Sequence, residues 1–135
     1  MKKEFVPYQE SLELKELGFD ESCFGRYIYD GRGKEWFLVQ TQQTKNASVI
    51  FEGDISVNGI SVASPLYQQA FRWFRGKCGL YNIVDINSFP ISFYYVITKI
   101  TQGGIGVQAE KFNINTYEEA ELACLIKLIE IVKQK

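Results

Sequence analysis

Residues 116–132 read TYEEAELACLIKLIEIV, the strongest helix signal in the chain. Thr116 stands where an N-cap is needed, and Glu119 three residues later completes the pattern of a capping box. Glu118, Glu119 and Glu121 fall in the first turns, where the helix dipole favours negative charge, and Lys133 and Lys135 follow at the end that favours positive charge. One wide apolar arc carries Tyr117, Ala120, Cys124, Leu125, Leu128, Ile131 and Val132. A second, narrower stripe carries Leu122, Ile126 and Ile129. An ordinary surface helix has a single apolar stripe, whereas a helix apolar nearly all round needs cover on two sides. Burying Leu122, Ile126 and Ile129 completely would contribute roughly 5–8 kcal/mol, comparable with the whole stability of a small domain. Three covers are open: the helix around residues 65–78 with its Trp73 and Phe74, the N-terminal β region, or the same stripe of a second copy in a twofold dimer.

The segments upstream of this helix read as a sheet with a second helix before it. Ser64-Pro65 has the form of an N-cap followed by proline at the first helical position. The helix it opens carries a broad apolar arc of Leu66, Tyr67, Ala70, Phe71, Trp73 and Phe74. Gln68, Gln69, Arg72 and Arg75 form its wet face, and Gly79 is placed to end it, with Leu80 folding back near Phe74. Three strands follow over 80–86, 91–100 and 107–114, separated by turns at 87–90 and 101–106. In the middle strand Phe93, Tyr95 and Ile97 share one face and Tyr94, Val96 and Thr98 the other.

The first half reads as a short helix and β-hairpins. Pro7 to Leu17 is helical, with Gly18 at C′ and Phe19 contacting Leu14 in a Schellman ending. Strands at 24–29 and 35–41 flank the loop Asp30-Gly31-Arg32-Gly33-Lys34. A polar loop over 42–48 leads to a short strand at 49–51. Ile55-Ser56-Val57, Asn58-Gly59, Ile60-Ser61-Val62 reads as a two-residue type I′ hairpin, with Val57 facing Ile60 and Ile55 facing Val62. The expected fold class is α+β: an antiparallel sheet with helices on one face, a C-terminal half ordered α-β-β-β-α, and an N-terminal short helix plus hairpins. The whole is read as a single domain, residues 1–135, with 1–63 and 64–135 as its two parts. Whether the N-terminal strands extend the same sheet or form a separate layer is left open.

Composition narrows the chemistry. The chain has 135 residues, 46% of them hydrophobic and 15% aromatic, enough for a real core. Net charge is −1. Residues 1–63 carry 7 Lys and Arg against 10 Asp and Glu, and residues 64–135 carry 8 against 6, so neither half is charged enough to name a partner. No histidine is present, which removes Ser-His-Asp and Cys-His nucleophiles and histidine metal sites. Cys23, Cys78 and Cys124 are odd in number and form no C-x-x-C, so they suggest neither a disulfide framework nor a thiolate zinc site. The opening MKKEFVPYQE lacks an apolar leader core, and no stretch approaches 18 apolar residues; the expectation is a cytoplasmic protein without a membrane span. Asn46-Ala47-Ser48 is then an accidental glycosylation match. Asp30–Lys34 and Gly103–Gly106 lack both the spacing and the following helix of a phosphate-binding loop. Glu52 and Asp54 are the nearest thing to a carboxylate pair and read better as a polar turn. The expectation is therefore no catalytic residue, no cofactor and no metal.

The helix-strand-strand-strand-helix order from Ser64 onward resembles the double-stranded-RNA-binding domain, in which two helices pack on one face of a three-stranded antiparallel sheet. The start of the last helix resembles that family's K-K-x-A-K motif by its alanine, Ala120, with Ala123 and Cys124 at the family's small positions. By that match Tyr117, Glu118 and Glu121 stand at the motif's lysine positions and Glu119 at its variable one, so glutamates replace lysines that would grip phosphate. Phosphate contacts dominate nucleic-acid affinity, so the resemblance implies the topology without the RNA binding. Across the whole chain, KEFVPYQESLELKELGFDE, SPLYQQAFRWFR and TYEEAELACLIKLIEIVK resemble an uncharacterised family of small phage and prophage proteins of Bacteroidetes. That resemblance implies a mobile-element origin and brings no activity with it. The functional expectation is a non-catalytic interaction protein with an unknown protein partner, self-associating as a homodimer. Leu122, Ile126, Ile129, Gln68, Arg72 and Arg75 are its interaction candidates. The alternatives are a nucleic-acid-binding accessory protein using the Arg72/Arg75 side, and an enzyme using carboxylates and tyrosines.

Overall fold

A computed structural model describes residues 2–29, 35–44, 47–50 and 58–134. The fold is α+β with antiparallel sheets. It divides into two compact units, Met1–Leu66 and Tyr67–Lys135, each with its own sheet, so the N-terminal strands form a separate sheet from the C-terminal ones.

The first unit contains a 3-10 turn (Lys2–Glu4), helix α1 (Tyr8–Glu16) and strands β1 (Cys23–Tyr29), β2 (Glu35–Thr44), β3 (Ala47–Ile50) and β4 (Asn58–Ser64). The sheet order is β2-β1-β4-β3, antiparallel throughout. α1 ends as its sequence predicts. Gly18 has φ +101°, its N–H donates to the Lys15 carbonyl at 3.1 Å, and the Phe19 N–H donates to the Leu14 carbonyl at 2.9 Å. These two bonds define the Schellman motif, and Leu14 and Phe19 are both buried. Tyr27 of β1 opposes Phe37 of β2 in register, their rings 4.9 Å apart, and Phe5 and Tyr8 join them edge-on at 5.2 and 5.7 Å. This aromatic cluster ties the N-terminal segment to the sheet.

The same segment is fastened by its backbone. The Val6 N–H donates to the Pro65 carbonyl at 2.9 Å. The Val6 carbonyl accepts from two buried hydroxyls, Ser64 at 2.7 Å and Ser11 at 3.1 Å. Ser64 is thus the last residue of β4 and not a helix cap, because its hydroxyl is used by the chain crossing beside it. Gly25 is required for steric reasons. A Cβ there would lie 2.6 Å from Phe5 Cδ1 and 2.9 Å from the Ser64 carbonyl oxygen. The ring is buried and the carbonyl belongs to the paired strand, so neither can move cheaply. Gly25→Ala is expected to cost about 2–3 kcal/mol by overpacking, read as a lower midpoint in urea; a change within about 0.5 kcal/mol would show that Phe5 does not pack on β1.

Three sequence expectations need correction in this unit. Asn58-Gly59 is not a hairpin turn: both residues lie in β4, paired with Ile50 and Val49 of β3. Ile60 pairs with Tyr29 and Val62 with Tyr27 instead of with Val57 and Ile55. β4 is an interior strand with ladders on both sides, and that pairing outweighs the local turn preference of Asn-Gly. The loop expected over 42–48 is mostly strand, since β2 runs to Thr44 and β3 begins at Ala47. Residues 30–34, Glu52, Asp54 and 55–57 lie outside the described residues.

The second unit has the order α2 (Tyr67–Cys78), β5 (Leu80–Ser88), β6 (Ile91–Thr101), β7 (Gly104–Ile114), α3 (Tyr117–Lys133). β5-β6-β7 is an antiparallel meander. Both connections are two-residue hairpin loops, because Ser88 pairs with Ile91 and Thr101 with Gly104. The turns read from the sequence were wider than this. α2 starts at Tyr67, later than Ser64-Pro65 suggested, and closes at Gly79, whose φ is +67°. α3 packs on all three strands and alongside α2. Its cap is as expected: the Glu119 N–H donates to Thr116 Oγ1 at 3.1 Å.

Candidate interaction surfaces

The six interaction candidates occupy different environments. On α3, Ala120, Cys124, Leu125 and Leu128 have no exposed surface, and Ile129 joins them at 2%. Leu122 is half-buried and Ile126 remains 47% exposed. The second stripe is therefore not one surface. At about 100° per residue, Ile129 lies only about 40° round from Leu125 and enters the core. Leu122 is about 60° away and sits at its margin, and Ile126, about 100° away, stays in water. A lone exposed isoleucine needs no partner to explain it.

On α2, Gln68, Arg72 and Arg75 are all exposed. Gln68 and Arg75 are brought together with Phe71 of the same helix, Asn82, Ile83 and Val84 of β5, and Tyr117 of α3, around a cleft of about 260 Å³. Arg72 does not line it. Tyr117 lines it and is edge-on to Phe93 at 6.2 Å. Burial raises the Tyr117 phenol above its ordinary pKa, and Glu121 and Asp85 add to the shift. Burial, then Glu118, raises the Glu121 carboxyl. Asp85 and Glu121 thus place acidic groups near Tyr117, while the guanidinium of Arg75 supplies a cation on α2.

A broad apolar surface among the described residues was not among the candidates. In β6, Tyr95 and Ile97 are buried beneath α3 while alternate residues face the other way. Register carries this outer face across the sheet: Thr98 opposes Tyr81 and Val107, Val96 opposes Ile83 and Glu110, and Ile100 opposes Ile105. Phe112 stacks on Tyr94 at 5.2 Å. Tyr81 is 40% exposed, Ile83 55%, Ile100 55%, Ile105 73%, Val107 59% and Phe112 43%. Side chains of these sizes at such exposures leave on the order of 600 Å² of apolar area on one face. Its carboxylates, Asp85 on β5 and Glu110 on β7, stand on opposite edge strands. The alternation of Tyr94, Val96 and Thr98 was the sequence signal for this face. Its extent became visible only with the register of β5 and β7.

Among the described residues, no group of three or more His, Cys, Asp and Glu is placed to hold a metal, and no helix is long and apolar enough to cross a membrane. Comparison with protein-family models matched none, and comparisons with curated proteins and with solved structures likewise found no match.

Proposed function

We propose that this chain is a non-catalytic interaction protein that self-associates through the outer face of its C-terminal sheet. The observation that carries the reading is the apolar character of that face. Monomeric proteins expose largest patches of about 300–600 Å², and this one stands at the top of that range before Tyr94, Val96 and Thr98 are counted. With them, the face approaches the roughly 800 Å² that each partner contributes to a stable interface. A second copy is the favoured occupant because one face then serves both subunits about a twofold axis. Two such sheets pack face to face about 10 Å apart, with Ile83, Val96 and Val107 inside. Asp85 and Glu110 share those edge strands with Ile83 and Val107, so the pairing requires their carboxylates to turn outward into solvent, where charge is tolerated. The resemblance of the whole chain to small phage and prophage proteins supports a role on such an element.

Val107 tests the proposal, since it is exposed within one chain and its replacement leaves the core alone. Light scattering should give a wild-type mass near twice the chain mass of 15.5 kDa, and Val107→Asp should give the mass of a single folded chain. A wild-type protein that stays monomeric at about millimolar concentration, far above the dissociation constants of specific complexes, would overturn the proposal. So would a Val107→Asp variant that associates as tightly as wild type.

A further inference from the structure

We propose that the C-terminal unit joins end to end with a second copy of the chain. The acidic end of one copy, which carries the β5–β6 hairpin, seats on the basic end of the next, where α2 and α3 finish. This contact is separate from the twofold pairing, which uses the sheet's outer face.

Register and helix direction define the two ends. Ser88 pairs with Ile91 and Phe93 with Ile114, which places the β5–β6 hairpin and the exit of β7 together. Leu80 pairs with Lys99 and Thr101 with Gly104, which defines the opposite end. α3 starts at the hairpin end, where Tyr117 meets Phe93. It runs toward the other end, passing Asn82, whose side chain bonds Cys124. α2 also finishes there, since Gly79 alone joins it to Leu80. β6 has 11 residues, so the ends stand about 33 Å apart at about 3.3 Å per residue.

Charge sorts along this axis. Asp85, Glu118, Glu119 and Glu121 gather at the hairpin end, while Glu110 and Lys111, opposite Val96 and Tyr95, offset one another. Lys77, Lys99 and Lys133 gather at the other end, where Lys127 is paired with Glu130 at 3.1 Å. Helix dipoles account for only part of this. Each terminus carries about half a charge, so the N-termini of α2 and α3 offset about one of the four carboxylates. The ends lie several Debye lengths apart at physiological salt, so neither neutralises the other within one chain. A second copy brings the opposite sign to each.

The hairpin end also carries an uncovered apolar tip. Phe89 is 95% exposed, Ile91 75% and Ile86 51%. Ile86 pairs with Phe93, where α3 begins, and Ile91 lies two residues further out. The receiving end has room for the tip. Nothing lies within 4 Å of a Cβ built on Gly76 or Gly79, so an aromatic ring can rest on the end of α2 while its flanking acids reach Lys77 and Lys133. Because the two surfaces differ, the contact is head-to-tail and repeats from copy to copy instead of stopping at a pair. It is small, at the transient end of interface sizes. It is also screened at physiological salt, where the Debye length is about 8 Å, so the twofold pair dominates there and end-to-end growth belongs to low salt.

Light scattering at two ionic strengths tests this. At about 0.01 M salt, where the Debye length is about 30 Å, the wild-type mass should rise steadily with protein concentration. At about 1 M salt, where it is about 3 Å, only the outer-face assembly should remain. Phe89→Ser alters a side chain that packs on nothing within its own chain, and should weaken the low-salt association about tenfold. Two sets of charge reversals give the decisive comparison: Glu118→Lys, Glu119→Lys and Glu121→Lys together, and Lys77→Glu, Lys99→Glu and Lys133→Glu together. Each variant alone, shown to be folded by circular dichroism, should fail to grow, because its two ends then carry the same sign. Mixing the two should restore growth, because each reversed end meets its complement. A mixture of folded variants that grows no more than either alone would overturn the proposal. So would a wild-type mass indifferent to salt, or a Phe89→Ser variant that associates as tightly as wild type. The outer-face pairing is read separately, as the mass in 1 M salt, so a single-chain mass there would count against that pairing alone.

Discussion

Replacing Leu128 with alanine is expected to destabilise the C-terminal unit by about 3–5 kcal/mol, whereas Ile126→Ala, two residues away on the same helix, should cost about 0.5 kcal/mol or less. Both positions are branched aliphatic residues in the middle of α3, so helix propensity separates them little. Burial separates them. Leu128 has no exposed surface and Ile126 is 47% exposed. Truncating Leu128 removes transfer energy and leaves a cavity beneath a helix held against three strands and α2. Truncating Ile126 removes a few methyl groups from water. Urea unfolding followed by circular dichroism reads both. Equal losses at the two positions would mean that α3 is rotated from the orientation described, with Ile126 turned into a packed surface.

The second large effect is a loss of stability at alkaline pH that depends on one thiol. Cys124 is wholly buried between α3 and the sheet. Burial pushes its pKa from an ordinary 9.0 up to about 12; a hydrogen bond with the Asn82 side chain opposes the shift and Glu121 adds to it. In the unfolded chain the thiol ionises near pH 9, while in the fold it keeps its proton to about pH 12. The native state therefore holds one more proton across that window, and stability falls as pH rises through it. The contribution is fully present below about pH 9 and is lost by about pH 12, at about 1.4 kcal/mol per pH unit and about 4 kcal/mol in all. Cys124→Ala should be slightly less stable than wild type at pH 8, for the small cavity, and more stable by pH 11. Burial also raises the Tyr95 phenol, which gives a background decline in both proteins. The crossing of the two curves is the specific signature. Parallel curves from pH 8 to 11 would show that the thiol is not sequestered.

What the sequence determined by itself is what short-range geometry determines. The Schellman ending at Gly18, the Thr116 cap and the break at Gly79 each depend on bonds between residues at most five apart. Such bonds form wherever the local residues permit them. The α-β-β-β-α order was legible because long periodic segments and glycine or proline turns alternate there, and the expected partition of β6 into two faces follows from its period of two. The tertiary structure decided everything that depends on competition between distant partners. Asn58-Gly59 gave up a turn because β1 and β3 both pair with the strand that contains it. Ser64 gave up a cap because the Val6 carbonyl crosses beside it. Ile129 entered the core and Ile126 did not, because the axial rotation of α3 against its sheet places the boundary of the buried arc between them. Both candidate surfaces arise in the same way. The outer face requires the register of three strands, and the cleft requires α2, β5 and the start of α3 to come together. Neither quantity is encoded in any single segment, since each is a relation between elements that the chain's packing alone sets.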